Sequence, residues 1–137
     1  MRALDTNVLA RFFVDDADDA QAAKQRPAAM AALRERSFVS VTVLLELEWV
    51  LRGYYKSPPE DVLAVLSHLL AMPNLEVEDR VAVELAATAL GDGFDFADAL
   101  HHASSRHCSS MATFDDKKLA RRASAKGWKP AVKLLPI

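Results

Sequence analysis

Residues 2–13 read RALDTNVLARFF, and this stretch predicts a β-strand that leads directly into an α-helix. Residues 2–4 form the short strand, and Asp5-Thr6-Asn7 are residue types that favour the N-terminal end of a helix. The apolar-rich run 8–13 then supplies more than one helical turn. The first pair of elements is therefore a strand that ends at an acid and continues as a helix.

The same order of strand and helix repeats along the chain. Further strands are predicted over residues 38–41, 75–77, 110–114 and 131–135, and the strand over 110–114 is expected to be buried. Helices are predicted over an Ala-rich segment that contains Pro27 and ends near residue 36, and over residues 43–52, 58–71, 80–90, 95–106 and 117–126. Parallel strands need helical crossovers, so this alternation predicts an α/β fold with a parallel sheet covered on both faces.

Two of these helices have specific start signals. Thr42 is the predicted cap of the helix that begins at Val43, and Pro27 is expected to kink or divide the preceding helix. Ser57-Pro58-Pro59-Glu60 has the spacing of a capping box, with proline at the first helical position. Ser57 is therefore the predicted cap of the following helix.

The composition is that of one compact soluble domain over residues 1–137. Hydrophobic residues make up 51% of the chain and charged residues 26%, a balance that allows a sizeable core without disulfides or a structural metal. Cys108 is the only cysteine, so we expect no internal disulfide and no zinc cluster. No apolar run has the length of a signal sequence or a membrane span. We therefore expect a cytoplasmic protein that is not inserted in a membrane.

Charge is distributed unevenly along the chain. All 19 acidic residues lie within residues 1–116, whereas residues 117–137 contain seven Lys or Arg and no acid. Such asymmetry predicts an anionic partner for the C-terminal segment, a cation-binding site in the acidic part, or both.

Four acidic residues from separate segments stand out. Asp5 and Asp115 directly follow predicted strands, Glu46 lies one turn into the helix after the second strand, and Asp98 is at the start of a helix. Ligands bind at the carboxyl ends of the strands in open α/β sheets, so these acids are candidate site residues. Helix capping is the alternative for Asp5, Asp98 and Asp115. Capping does not explain Glu46 inside an apolar helix. Glu48 lies about 200° away on that helix, so at most one of the two faces the core.

Four segments in this order resemble the PIN domain, and specifically the VapC-type toxins of bacterial toxin-antitoxin pairs. They are Leu4-Asp5-Thr6-Asn7-Val8-Leu9, the stretch from Ser40 through Glu46-Leu47-Glu48-Trp49-Val50-Leu51, Asp95-Phe96-Ala97-Asp98-Ala99-Leu100, and Thr113-Phe114-Asp115. The resemblance covers nearly the whole chain. It implies a three-layer α/β/α domain with a central, mainly parallel sheet, and a ribonuclease that depends on magnesium or manganese.

The resemblance also assigns individual residues. It favours Glu46 over Glu48 and Asp115 over Asp116 as members of an acidic quartet. The implied catalytic and metal-binding quartet is Asp5, Glu46, Asp98 and Asp115. The implied accompanying polar residues are Asn7, Ser40, Thr113 and the extra acid Asp95. The family further implies a cognate VapB-type antitoxin and a homodimer or higher homo-oligomer.

The chemistry of converging carboxylates is consistent with this assignment. Two unit charges about 4 Å apart repel by about 4 kcal/mol at an effective dielectric constant near 20, so a cation must neutralise them. Oxygen ligands without a usable set of Cys or His favour Mg²⁺ or Mn²⁺ over zinc. We hypothesise that Asp5 and Asp98 are the central ligands, and that Glu46 and Asp115 bind directly or through water. A metal-activated water then hydrolyses RNA.

A basic helix begins just after Asp115 and is the candidate binding surface for the RNA substrate. Lys117 with Arg121, and Lys118 with Arg122, are four residues apart and so predict two adjacent cationic rows. Such rows bind phosphates in a salt-sensitive way and without sequence selectivity. A solvated helix face, with bases favoured near the C-terminal end of the helix dipole, explains the same pattern equally well.

Two other functions remain open at this point. One is a catalytically silent PIN-like module that binds RNA or a protein partner. The other is a haloacid-dehalogenase-like phosphatase, which needs a second Asp two residues after its nucleophile, where this chain has Asn7. Measured nuclease activity would discriminate the first from an enzyme, and Asn7 argues against the second.

The remaining candidate side chains favour structural roles. His101, His102 and His107 lack the spacing of a helical zinc site, so surface or partly buried positions are expected. Aromatic residues at helical positions are more often core than partner groove. This expectation applies to Phe12, Phe13, Trp49, Tyr54 and Tyr55.

Overall fold

The computed structural model describes residues 1–137 and consists of two compact units, Met1–Arg80 and Val81–Ile137. In both units every strand pairing is parallel, as the alternation of strands and helices predicts. None of the helices combines the length and the apolar character needed to cross a membrane.

The first unit contains a three-stranded parallel sheet with strand order β1-β2-β3. Ser37 lies at its centre, opposite Arg2 on one side and Leu75 on the other. The elements in chain order are β1 (Arg2–Ala3), α1 (Thr6–Phe13), α2 (Ala20–Ala32), β2 (Ser37–Val39), α3 (Val41–Gly53), α4 (Pro59–Ala71) and β3 (Leu75–Val77).

The second unit contains two parallel strands, in which Ser110 lies opposite Ala131 and Thr113 opposite Leu134. Its basic helix starts with a π-helical turn, so its first residues are wound more widely than the predicted α-helix. The elements in chain order are α5 (Arg80–Gly91), α6 (Phe96–Ser104), β4 (Ser110–Thr113), the π-helical turn (Asp116–Ala120), α7 (Arg121–Ala125) and β5 (Ala131–Leu134).

Each unit has an apolar core supplied mainly by its helices. Buried residues recur three or four positions apart along them, which is the pattern of a helix with one apolar face. In the first unit the core includes Leu9, Leu44, Leu47, Leu51, Val62, Leu66 and Leu69. In the second it includes Ala82, Val83, Ala86, Phe96, Ala99, Leu119 and Ala123.

The predicted cap of α3 is wrong by two residues. Ser40, not Thr42, caps this helix: its hydroxyl Oγ accepts the backbone N–H of Val43 at 3.3 Å. The helix therefore begins at Val41, and β2 ends at Val39. The N–H of Val41 also donates to the carboxylate of Glu78 at 2.9 Å. This longer-range bond stabilises the earlier start, and a local pattern of residue types does not reveal it.

The predicted capping box at α4 does not form. Pro58 occupies the cap position without a side-chain hydrogen bond, and Pro59 is the first helical residue. Ser57 lies one position too early, because its N–H donates to the carbonyl of Leu51 and closes the turn after α3. A proline does occupy the first helical position, but it is Pro59 and not the predicted Pro58, and its fixed φ angle is suited to that place.

Other differences concern helix length and exposure. Pro27 lies inside α2 and does not divide it, and this helix ends at Ala32. The strand β4 ends at Thr113 instead of Phe114, and the expectation that it is buried is wrong: none of its four residues is buried, and Phe114 is 68% exposed. Exposure of this side chain depends on packing across the unit, which the β-forming tendency of 110–114 does not encode.

Replacement of the observed cap tests the start of α3. We expect Ser40→Ala to lower the free energy of unfolding by about 1 kcal/mol, because it leaves the N–H of Val43 without its acceptor. Ser57→Ala is the matched control and should change stability by less than about 0.5 kcal/mol. Urea unfolding measures both. Equal losses in the two variants would contradict the assignment of the cap to Ser40.

Candidate functional site

Asp5 lies two residues after β1, which ends at Ala3 and not at the predicted Leu4, and it caps α1. Its Oδ1 atom accepts the backbone N–H of Thr6 at 2.7 Å. The side chain is exposed, as is that of Asn7 on the first turn of the helix. A carboxylate has about four acceptor positions, so one capping bond leaves Oδ2 available for another ligand. The capping alternative is thus confirmed for Asp5 and is compatible with a site role.

Thr6 is a residue that sequence reasoning did not single out. It is 3% exposed, and its hydroxyl Oγ1 has no hydrogen-bond partner. Buried polar atoms are nearly always hydrogen-bonded, so an unpaired one at the start of α1 requires an explanation such as an ordered water or ion. This orphaned hydroxyl adjoins Asp5 in the sequence, and no pattern of residue types predicts it.

The two glutamates of α3 have opposite environments. Glu48 is 3% exposed and forms an ion pair of 2.8 Å with Arg52, one turn later. Glu46 is exposed. The helix therefore turns Glu48 to the interior, where a paired carboxylate is tolerated. Because Glu46 is exposed, its position in an apolar helix is not by itself evidence of a site. The exposed carboxylate is accessible to a ligand.

In the second unit, Asp95 and Asp115 are both helix caps. Oδ2 of Asp95 accepts the N–H of Asp98 at 3.0 Å, and Oδ1 of Asp115 accepts the N–H of Lys118 at 3.0 Å. Thr113 supports this arrangement, because its hydroxyl accepts the N–H of Asp115 at 3.0 Å. As at Asp5, each cap uses a single carboxylate oxygen.

Asp116 differs from Asp115 in having its charge neutralised within the protein. Its Oδ2 atom accepts two bonds from the guanidinium of Arg121, at 2.7 and 3.0 Å. The Asp115 carboxylate has no such basic partner. Asp115 is therefore the acid of this pair whose carboxylate is not bound to a basic side chain.

Asp98 is half-buried, and its carboxylate makes no hydrogen bond within the second unit. Burial raises the pKa of this carboxyl above its ordinary value of 3.8. The negative charges of Asp95 and Asp115 raise the pKa further, and His101 offsets part of the rise. Three of the predicted site acids therefore interact electrostatically, and a bound cation would relieve their repulsion.

The structure does not gather three or more His, Cys, Asp or Glu side chains into one group that could hold a metal. Asp95, Asp98 and Asp115 belong to the second unit, and Asp5 and Glu46 to the first. The accessible donors are carboxylate and hydroxyl oxygens, which fit a hard divalent cation by their chemistry.

The four predicted RNA-binding bases are not equivalent. Lys117 and Lys118 are exposed and form no ion pair. Arg121 is bound to Asp116. Arg122 donates to the carbonyl of Gly93 at 3.0 Å and lies 5.1 Å above the Phe94 ring. Only the two lysines therefore have cationic groups without a partner in the protein.

His102 has a structural role. It is 7% exposed, its Nε2 atom lies 2.8 Å from the carbonyl oxygen of Pro130, and its ring stacks on Trp128 with centroids 4.6 Å apart. Trp128 stacks in turn on Phe94 at 4.2 Å. The prediction of a surface or partly buried histidine is correct for the exposed His101 and His107, and His102 is more deeply buried than expected.

The aromatic residues of α3 and the turn after it are not core. Trp49 is 62% exposed and Tyr54 is 64% exposed, so the expectation of core positions is wrong for both. Phe12, Phe13 and Tyr55 are half-buried. Trp49 and Tyr54 line a cavity of about 260 Å³ in the first unit. Asn7 and Arg11 also line it, so a predicted site residue borders this aromatic surface.

A family model described as PIN domain matches residues 2–125. The chain belongs to the PIN domain family. PIN domains are generally nucleases, so membership supports a hydrolase that acts on nucleic acid, and it confirms the predicted α/β/α fold class. The matched residues include most of both units. A search of curated proteins and a search of solved structures each found no match.

The repulsion within this PIN domain predicts how its stability varies with pH. A carboxyl with a raised pKa binds its proton more tightly in the folded state. Stability is therefore lost as the pH rises from about 3.8 through the folded-state pKa of Asp98. Asp98→Asn removes the ionisation, so in metal-free buffer we expect it to unfold at a higher urea concentration than the wild type near pH 7.

The difference in stability between Asp98→Asn and the wild type should narrow as the pH falls toward 3.8, because the wild-type carboxyl then also takes up a proton. Asp18→Asn, at an exposed acid without a hydrogen bond, is the control and should show no such dependence. An Asp98→Asn protein that is less stable than the wild type near pH 7 would contradict the inferred repulsion.

Proposed function

We propose that this PIN domain protein is a divalent-metal-dependent ribonuclease of the VapC toxin type, which hydrolyses RNA phosphodiester bonds with a metal-activated water. The observation that carries the proposal is the match to a nuclease family over residues 2–125, and the half-buried position of Asp98, where burial first and the charges of Asp95 and Asp115 second raise its pKa, supports it. A carboxyl kept half-buried among like charges is costly in an inert domain and useful in one that binds a cation.

Asp5 and Asp98 are the proposed central ligands of Mg²⁺ or Mn²⁺, and Glu46 and Asp115 bind directly or through water. The capping bonds support this assignment for Asp5 and Asp115, because each leaves one carboxylate oxygen free. A bound ion of this class supplies a nucleophilic water at neutral pH and neutralises developing charge. The proposed supporting residues are Asn7, Ser40, Thr113 and Asp95.

The proposed supporting residues act by holding backbone and side chains in place. Thr113 fixes the turn that presents Asp115, and Asp95 fixes the first turn that carries Asp98. Ser40 caps the helix that carries Glu46. Hydrogen bonds of this kind orient metal ligands, and their loss costs about 10- to 100-fold in affinity or activity.

The proposed substrate is RNA, with Lys117 and Lys118 as its main phosphate contacts and Arg121 and Arg122 as weaker ones, since both arginines are engaged within the protein. The toxin assignment also implies a cognate VapB-type antitoxin, a homodimer or higher homo-oligomer, and action in the cytoplasm on cellular RNA. These partners rest on the family resemblance and are part of the proposal.

Cleavage of a mixed RNA pool in the presence of Mn²⁺ or Mg²⁺ tests the activity. We expect the wild type to cleave, EDTA to stop it, and Asp5→Asn and Asp98→Asn each to lower the rate at least about 100-fold, since losing a ligand should cost at least as much as losing a supporting residue. Equal cleavage by the wild type and both variants would refute the assignment.

The two glutamates of α3 provide a matched pair for the same assay. Glu46→Gln should lower the rate while leaving the fold intact, because Glu46 is exposed. Glu48→Gln should lower the free energy of unfolding by about 1–2 kcal/mol through its bond to Arg52, and folded protein should retain its activity. If folded Glu48→Gln lost its activity and Glu46→Gln kept it, the site would contain Glu48 instead of Glu46.

A catalytically silent RNA-binding or protein-binding PIN module is the second candidate. The capping bonds of Asp5, Asp95 and Asp115 favour this silent module, because capping alone is sufficient to explain why these acids stand at helix starts. RNA binding without cleavage in either metal would support this candidate over the ribonuclease.

A further inference from the structure

Phe114 is an exposed aromatic ring between two predicted site residues, Thr113 and Asp115. It is 68% exposed, and it takes part in none of the ring-ring or cation-ring contacts of the chain. By contrast, Trp128 of the same unit stacks on Phe94 and on His102, and Phe96 is buried in the core. Phe114 therefore offers an apolar surface that the protein itself does not use.

The backbone on both sides of this ring is fixed. Thr113 is paired with Leu134 in the sheet, and its carbonyl accepts the N–H of Leu135 at 2.9 Å. Asp115 is held by the Thr113 hydroxyl and caps the following π-helical turn. Because the ring projects from a constrained segment, a ligand that stacks on it does not have to order a loop first.

Two unpaired cations follow the ring within four residues. Lys117 and Lys118 are exposed and form no ion pair, whereas Arg121 and Arg122 are engaged within the protein. An aromatic face beside free ammonium groups matches single-stranded nucleic acid, in which flat bases alternate with phosphates. An apolar protein partner would leave both ammonium groups without a counter-charge.

We propose that Phe114 is the stacking platform for one unpaired base of the RNA substrate, while Lys117 and Lys118 contact flanking phosphates. The inference rests on the proposed ribonuclease function and adds a residue that determines specificity. A base within a duplex has no free face to offer, so this contact selects for unpaired nucleotides next to Asp115 and disfavours fully paired RNA.

Binding is measured separately from cleavage, in the Asp98→Asn background, by fluorescence anisotropy with a labelled single-stranded RNA oligonucleotide. Adding Phe114→Ala should weaken binding about 5- to 100-fold, the usual range for loss of one base stack. Phe114→Trp should restore it, because indole retains a stacking face. Leu85→Ala removes another exposed apolar side chain of the same unit and should have no effect.

The salt dependence separates stacking from charge. Each of Lys117→Ala and Lys118→Ala should reduce the slope of log affinity against log salt by about 0.7, the value for one phosphate contact on a single strand. Phe114→Ala should leave this slope unchanged. With active protein, Phe114→Ala should raise KM for single-stranded RNA more than it lowers kcat, and the same oligonucleotide annealed to its complement should be a poor substrate for every variant.

Two results would overturn the inference while the ribonuclease function stands: unchanged RNA binding by Phe114→Ala, or a loss that Phe114→Trp fails to restore in protein whose unfolding is unaltered. If Phe114→Ala loses binding to a purified antitoxin but keeps its binding to RNA, the ring contacts a protein partner, and the inference is also overturned. A wild type that neither cleaves nor binds RNA would refute the proposed function itself.

Discussion

Burial of the Asp98 carboxylate beside the negative charges of Asp95 and Asp115 is the constraint on which the candidate site depends. Asp95 and Asp98 belong to the start of α6, and Asp115 follows β4 in the same unit. Without a cation, the ionised form of Asp98 is destabilised by burial and by its two neighbours. A divalent ion bound at the proposed site would offset that cost, so the placement of charge that destabilises the metal-free domain would favour metal binding.

Helix capping links this constraint to the fold. Asp5, Asp95 and Asp115 each stand where an extended segment ends and a helical turn begins, and each bonds a backbone N–H through one oxygen. The cap fixes the carboxylate at the start of the helix, where the helix dipole favours negative charge. The same bond that starts the helix therefore positions a carboxylate whose second oxygen is free. Capping and ligand binding are compatible roles at these positions.

Much of this could be predicted from sequence because it depends on local patterns. The alternation of strands and helices, their parallel pairing and the acids that follow β1 and β4 all come from residue types that act over a few positions. Which side of a helix faces the core depends on contacts outside the helix. Two glutamates lie two residues apart on α3, and the sequence does not show that Glu48 is the buried one. The exposure of Phe114 and the start of α3 at Val41 likewise depend on long-range contacts.

The central claim is that the proposed acids Asp5, Glu46, Asp98 and Asp115 bind a divalent ion, and paramagnetic broadening of backbone amide signals by Mn²⁺ tests it most directly. Substoichiometric Mn²⁺, added to isotope-labelled protein, should broaden the amide signals of these four residues, and excess Mg²⁺ should reverse the effect. Amide signals of these residues that stay as sharp as the signal of the exposed Asp18 would contradict the claim.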